Sequence, residues 1–442
     1  MADRSGHISA VFLSARSLTL PNGRRSGLLE INMPPAASDP TLIRRIAPCL
    51  LAIVVDAMGF GLVYPVLALL FSGGHRSYLP GVTGSEADLL FGLAYLLYPL
   101  GMLFGSPVLG GLSDRYGRKP ALLASTSGLT VAFAVMAWGV ISANVWCLLG
   151  GRLLSGLAAG SQPVSQAVVS EHSSDQQRAH TMRYLTLALS VGFIAGPILG
   201  GMPLLQSENP LARFAAPLAV AAALALGSLI WLALRFPGAS ESAPPPHPVT
   251  RGLWHQAVHG LRSSQVRRLC LLHFLYQAGF SLYFGMIPVV MLRNYGLDRT
   301  AIGFFNGMIG LGFILSLLFF LPPLTRRYSD IGIARGALFI IAGCIAFSSL
   351  PLPAWLLWVL ALGIGLANML AFNNVLTLFS RAVSAEERGA VMGLAASAKA
   401  CSWILAGLGP IALGVISPNI LLLIGAGCVF LAASTPLVKR AK

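Results

Sequence analysis

Three ionisable side chains stand where an ionisable group is expensive. Asp56, Arg152 and Lys399 each interrupt a run of about twenty otherwise apolar residues, and charges in such runs are costly enough to be functional candidates by default. Of the 15 acidic residues, only Asp56 falls well inside a run. A carboxyl in that setting can exchange a proton. Desolvation favours the neutral acid, a nearby cation favours the carboxylate, and a balance between them brings the exchange within reach of cytoplasmic pH. We read Asp56 as the proton-responsive acid and Arg152 as its electrostatic partner; the alternative is a static ion pair that fixes helix packing. At 1.5 Å per helical residue, Asp56 lies roughly 15 Å deep, Lys399 about as deep, and Arg152 roughly 10 Å from the other face. Lys399 is too far from either end of its run to snorkel. It has three readings: it attracts an anionic group on a substrate, it pairs with Asp56, or it occupies a polar contact between helices.

Uncharged polar residues share these runs. Gln162 and Gln166 are four apart and lie on one helix face, as are His273 and Gln277. Asn306, Asn368 and the pair Asn373–Asn374 complete the set. Each lines a cavity or serves as hydrogen-bonding glue between helices. A separate polar island at 110–120 runs Gly110, Gly111, Leu112, Ser113, Asp114, Arg115, Tyr116, Gly117, Arg118, Lys119, Pro120. It reads as a tight turn between two apolar runs, with glycines that let another backbone come close. Gly156, Ala159 and Gly160, and then Gly192, Gly196, Pro197, Gly200 and Gly201, read as packing and hinge positions.

These residues need elements to hold them. The chain is 55% hydrophobic and only 10% charged, with a mean hydropathy of +0.75, against the about 45–50% apolar content usual in soluble proteins. Apolar runs lie near 46–71, 88–110, 120–141, 145–168, 183–204, 212–235, 268–292, 300–322, 332–350, 354–379, 389–415 and 418–438. Each is long enough to cross roughly 30 Å of hydrocarbon, and in lipid the backbone must satisfy itself, so each is a helix. Transmembrane β-strands would be shorter and would alternate in polarity. The fold class is therefore an all-α polytopic membrane protein of twelve spans, with both termini on the same side.

Lys and Arg decide which side. A cytoplasmic N-terminus places Arg44, Arg45, Arg115, Arg118, Lys119, Arg178, Arg183, Arg235 through Arg268, Arg326, Arg327, Arg335, Arg381, Arg388, Lys439, Arg440 and Lys442 inside. Only Arg76, Arg213, Arg293 and Arg299 are then outside. This asymmetry accounts for the net charge of +15, so no nucleic-acid partner is expected. The six Cys form no CxxC and no Cys/His cluster, which argues against a disulfide framework or a metal site. No Gly-x-x-x-x-Gly-Lys-[Ser/Thr] is present. Residues 1–43 read as a disordered cytoplasmic segment, with Met33 as a candidate true start. Residues 44–236 form a six-helix bundle, 237–267 a cytoplasmic linker containing a Pro-rich stretch at 243–248, 268–438 a second six-helix bundle, and 439–442 a tail. The halves look like weak parallel repeats: Gly196-Pro197-Ile198-Leu199-Gly200-Gly201 in span five matches Gly409-Pro410-Ile411-Ala412-Leu413-Gly414 in span eleven. Each follows an acidic-polar-Arg turn, at 173–178 and 384–388. Such repeats are how many secondary transporters are built, with the binding site between them.

Four motifs in order carry a resemblance over about residues 45–438. The island 110–120 looks like motif A of the major facilitator superfamily. Leu149-Gly150-Gly151-Arg152-Leu153-Leu154-Ser155-Gly156 looks like motif B. Gly192 with Gly196-Pro197 and Gly200-Gly201 looks like the antiporter motif C, although Arg183 replaces its first glycine. Asp56-Ala57-Met58-Gly59-Phe60-Gly61, ending at Tyr64-Pro65, resembles span one of the tetracycline-exporter-like drug:proton antiporters. The second-half copy of the island, 322–330, lacks the Asp-Arg-x-Gly core. The resemblance implies two pseudo-repeat bundles, a cavity lined by spans one, four, seven and ten, and a part in proton coupling for Arg152. It also implies a gating part for Gly110, Asp114, Arg115, Gly117, Arg118 and Lys119. We expect Asp114 to meet the N-terminal end of span eleven, where the helix dipole favours a carboxylate, and Arg115 and Arg118 to hold partners in their own half.

The expected function is proton-coupled export of a small organic molecule by alternating access, from the bacterial-type inner membrane and with no cofactor. Asp56 and Arg152 would couple protons. Lys399, Gln162, Gln166, His273, Gln277, Asn373 and Asn374 would line the substrate cavity. The expected partners are membrane lipid, protons and a small-molecule substrate, and the expected state is a monomer. The alternative is a specific exporter or importer of an anionic metabolite or siderophore. An enzyme would need a metal cluster or an activated nucleophile, and a sensor would need a soluble domain.

Overall fold

The computed structural model describes residues 40–72, 78–172, 175–204, 207–236, 263–384 and 388–436. Residues 1–39, including Met33, most of the linker, the tail and parts of the two acidic-polar-Arg turns lie outside these. The described residues are helices joined by short turns, with no strand among them.

Among the described residues, ten helices are long and apolar enough to cross a membrane. Span one is Pro40–Ser72, span two Gly84–Tyr116, span three Arg118–Ile141, span five Asp175–Gly201 and span six Pro210–Arg235. Span seven is Ser264–Tyr295, span nine Asp330–Ser348 and span ten Ala354–Ala382. Span eight runs as Arg299–Leu315, a π turn Ser316–Phe320 and Leu321–Arg327. Span eleven is Arg388–Ala406 followed by Leu408–Ile411.

The other two expected spans differ from a single long helix. Span twelve is the 17-residue helix Pro418–Ser434. Span four is broken into Val145–Leu157 and Ser161–His172. Pro163 has no N–H to give the Ala159 carbonyl, so the helical ladder cannot run through. Beside the break, the Ala158 carbonyl accepts from the Gly160 N–H at 2.8 Å and from Ser125 Oγ of span three at 2.6 Å.

The island also differs from expectation. Span two stays helical through Tyr116, and the turn is a single residue, Gly117, at φ 94 and ψ 166, a conformation essentially reserved for glycine. Nothing approaches within 4 Å of where a Cβ would stand on Gly110 or Gly111. These two glycines therefore do not serve the close approach expected of them.

Within each half the packing repeats. Span one lies on five and six, span three on four and six, and span two on four; seven lies on eleven and twelve, nine on ten and twelve, and eight on ten. The glycine stripe of span five explains its contact with span one. A Cβ on Gly196 would stand 2.3 Å from the Met58 carbonyl oxygen, and one on Gly200 2.3 Å from that of Leu62, so only glycine permits this backbone separation. Gly156 against Tyr98 joins spans four and two, and Gly365 against Ile309 joins ten and eight. Between the halves, span five packs on eight and span two on eleven. Exposed Phe104, Val108, Leu234 and Val415 face outward. Trp138, Trp146 and Trp355 are exposed at the end of the bundle opposite the Arg-rich turns, as in the aromatic belt of a membrane interface.

Candidate functional site

Asp56 is buried in span one at the level of the span-four break. The break presents Ser161, the first residue of the second half-helix, and its Oγ donates to Asp56 Oδ2 at 2.5 Å. Asp56 Oδ1 has no hydrogen-bond partner, while the Tyr98 phenol is a second polar neighbour of the carboxyl. The carboxyl therefore has one oxygen held and one free, an arrangement open to a proton on Oδ1.

Arg152 is 1% exposed and makes no ion pair with Asp56, so the static ion pair of the alternative reading is not what the described contacts show. Its Nε donates to the Ala94 carbonyl at 2.9 Å, and its guanidinium lies over the rings of Tyr98 at 5.1 Å and Tyr64 at 5.5 Å. Motif-B packing explains this: Gly156 and Gly101 draw spans four and two together, so Arg152 reaches the span-two backbone and an aromatic cage. Tyr98 touches both groups and links them indirectly. Arg152 Nη2 and the Tyr64 hydroxyl have no hydrogen-bond partner.

One turn beyond Asp56, Phe60 enters an aromatic cluster shared by both halves. It meets Tyr64, Tyr98 and Phe193 of the first half, and Phe284 and Trp403 of the second, with ring centroids 4.9–6.2 Å apart. Tyr95 stacks on Trp403 and its hydroxyl donates to the Ser281 carbonyl at 2.5 Å. Trp403 Nε1 donates to Gln277 Oε1 at 3.1 Å, joining spans eleven and seven. Ser161, Tyr95, Tyr98 and Trp403 carry no motif in the sequence, and Phe60 and Tyr64 stand in the span-one motif without a role of their own. The spacings Phe60/Tyr64 and Tyr95/Tyr98 were the available signal, since residues three and four apart share a face.

Lys399 lies one turn from Trp403 on span eleven, toward the Arg-rich end, and is partly exposed. It does not pair with Asp56 in the structure. Its Nζ sits 5.6 Å from the centre of the Phe372 ring, and the His273 ring is an electrostatic neighbour. Gln162 is partly exposed and Gln166 exposed. Asn373 and Asn374 donate to the Met369 and Leu370 carbonyls one turn back on their own helix. Asn368 accepts from the Tyr276 hydroxyl at 2.5 Å, a contact between spans ten and seven. Asn306 is buried with both amide atoms unpartnered.

The family model of the Major Facilitator Superfamily matches residues 49–407. The chain belongs to that superfamily. It is 30% identical over 382 residues to the class G tetracycline resistance protein of Vibrio anguillarum, covering 81% of this chain and 88% of that one. It is 28% identical over 359 residues to the class C protein of Escherichia coli, covering 77% and 82%. The xylose transporter XylE from E. coli, in a partially occluded inward-open conformation, has the same fold, with a TM-score of 0.67 at 14% identity over 89% of this chain and 96% of that one. The protein is thus a transporter and not an enzyme.

Polar contacts at the two ends of this transporter differ in kind. At the Arg-rich end they tie elements within a half. Arg118 donates to Glu171 Oε1 at 2.9 and 2.5 Å, to Asp114 Oδ1 at 2.7 Å and to Ser113 Oγ at 2.8 Å, fastening the ends of spans two, three and four. The described partner of Asp114 is Arg118, and the turn leading into span eleven lies outside the described residues. Arg115 lies over Tyr116, and Lys119 is partly exposed. In the second half, Asp330 pairs with Arg381. This joins span nine to ten as Arg118 joins three to four, with the charges exchanged.

At the opposite end some contacts cross between halves, beside bonds within the second half such as Asn294 to Asn419 and the Tyr295 hydroxyl to the Leu352 carbonyl. Arg299, at the start of span eight, donates to the carbonyls of Met202 at 2.5 Å, Arg213 at 2.9 Å and Gly201 at 3.4 Å, and lies over Phe214. It thereby caps the C-terminal carbonyls of span five, where a cation is favoured. Arg293 of span seven approaches Asp88 of span two at 3.8 Å.

Proposed function

We propose that this transporter exports a small organic molecule in exchange for protons, by alternating access across the inner membrane, with both termini cytoplasmic. The observation that carries the reading is Asp56: a buried carboxyl, held through one oxygen by Ser161 and free on the other. A proton on Oδ1 neutralises the group and a departing one restores a charge beside Tyr98. The two protonation states thus place different demands on spans one, two and four, which meet there. Arg152 acts through the Tyr98 and Tyr64 rings that it stacks on, not as a direct counter-ion. The aromatic cluster at the junction of the halves supplies apolar contact for a drug-like molecule. The tetracycline resistance proteins among the relatives support an exported drug. In this reading the cross-half contacts of Arg299 and Arg293 hold the outer side shut.

The test uses purified full-length protein in liposomes, with an imposed pH gradient and tetracycline, tetraphenylphosphonium and naphthoate as probes. Uptake of at least one probe driven by the gradient is expected. Asp56→Asn is expected to abolish the response to the gradient while leaving exchange of labelled for unlabelled probe. Gradient-driven transport by Asp56→Asn at the wild-type rate would overturn the assignment. A specific anionic substrate is the second reading, favoured by Lys399, which has no acidic partner among the described residues.

A further inference from the structure

We propose that Lys399, His273 and Phe372 form a subsite for an anionic group borne on an aromatic ring of the transported molecule. This rests on the transport reading above and assigns the substrate class. Register places the three residues in one layer. Span seven and span eleven run in the same direction, and Gln277 on one bonds Trp403 on the other. His273 is four residues before Gln277 and Lys399 is four before Trp403, so each lies one helical turn nearer the Arg-rich end on the same face. Span ten runs the opposite way. Its Asn368 bonds Tyr276, and Phe372, one turn on, arrives beneath the ammonium. Asp56 is likewise one turn from Phe60, which touches Trp403. A carboxyl in the first half and an ammonium in the second therefore stand on the same side of the aromatic cluster.

The second-half layer lacks a native anion. Lys399 Nζ has no ion pair or hydrogen bond among the described residues; the Phe372 ring faces it and His273 is its electrostatic neighbour. The described acids of the second half are committed elsewhere: Asp298 caps span eight through Ala301 N at 2.8 Å, and Asp330 holds Arg381. Glu386 and Glu387 lie outside the described residues. Asp56 is held by Ser161. His273 is 1% exposed, and its Nδ1 has no partner. A partly exposed ammonium without a counter-ion beside a buried ring nitrogen without a partner is a donor pair awaiting acceptor oxygens, because buried charges are otherwise paired. A carboxylate, sulfonate or phosphate would accept from Lys399 Nζ and from a proton on His273 Nδ1. The ring that carries it would lie against Phe372 and the nearby cluster around Trp403.

Equilibrium binding to the full chain in lipid nanodiscs, with no gradient, tests this with three probes that share one ring: naphthoate, naphthylmethanol and naphthylmethylammonium. Wild type is expected to bind naphthoate about tenfold more tightly than the ammonium, the size of a charge-assisted contact. Lys399→Gln is expected to lose about that tenfold for naphthoate alone, Lys399→Arg to retain most of it, and His273→Phe to lose a smaller part. Equal binding of the anionic and cationic probes by wild type would overturn the proposal without any variant. So would unchanged naphthoate affinity in Lys399→Gln. Because no gradient is involved, loss of the proton-exchange reading would leave these affinities in place. Conversely, gradient-driven transport of a neutral probe alongside charge-blind binding would remove the subsite alone.

Discussion

At the scale of single residues, the chemistry turns on how a few buried polar atoms are satisfied. Asp56 has one oxygen on Ser161 and one without a close partner, so Ser161→Ala removes the donor on Oδ2 and leaves the Tyr98 phenol as the polar neighbour. Gradient-driven transport by Ser161→Ala is expected to change its dependence on internal pH while binding of a neutral probe does not. Matching pH profiles in both proteins would show that Ser161 merely fills space. Arg152→Lys keeps the charge but loses the planar group that lies over Tyr64 and Tyr98, and a reduced transport rate at unchanged expression is expected. Asp56, Arg152 and Lys399 were legible in the sequence because a charge in an apolar run is conspicuous on its own. Their partners were not. Ser161 and Tyr98 are ordinary residues until the fold sets them against a carboxyl. In place of the static Asp56–Arg152 ion pair of the alternative reading stands an aromatic cage, since the close approach of spans two and four carries Arg152 onto Tyr98 and the Ala94 carbonyl.

At the scale of elements, breaks and close approaches position those residues. Ser125 donates to the Ala158 carbonyl beside the span-four break. Ser125→Ala leaves that oxygen with the Gly160 N–H alone, and a stability loss of about 1 kcal/mol is expected, read as a lower melting temperature in detergent. Gly117 holds a backbone conformation that an L side chain avoids, so Gly117→Ala is expected to cost about 1–3 kcal/mol. Gly196→Ala would push a methyl into the Met58 carbonyl, at about 1–3 kcal/mol for overpacking. Equal melting temperatures for variant and wild type would contradict each of these. The glycines of span five announced a packing stripe by their spacing, and the stripe is there. The span-four break was missed because Pro163 lies one turn into an apolar run that hydropathy alone reads as continuous. The island was read as a longer turn than the one residue that suffices, since Gly110 and Gly111 look like breakers yet remain in the helix.

At the scale of the whole molecule, the two halves share one pattern of helix packing and meet through spans five with eight and two with eleven. The polar contacts described between them include Arg299 on the carbonyls of span five and Arg293 near Asp88. If these close the outer side, Arg299→Ala should open it. Spin labels at Glu208 and Leu350, one on each half at that end, are expected to gain a population at longer distance in the variant. An unchanged distance distribution would show that Arg299 does not latch the halves. The arrangement of twelve helices in two halves was legible from length, hydropathy and the Gly-Pro repeat, whereas the outer latch was not, because Arg299 donates to backbone carbonyls that no side-chain pattern reveals. In the proposed exchange, protons pass through Asp56 in the direction opposite to the substrate. A pH indicator trapped inside liposomes bearing the full-length protein tests it most directly, when a gradient of a transported probe is imposed at equal pH on both sides. The account expects the probe to drive proton movement the opposite way in wild type and no proton movement in Asp56→Asn. Probe flux without any pH change in wild type, or an undiminished pH change in Asp56→Asn, would contradict it.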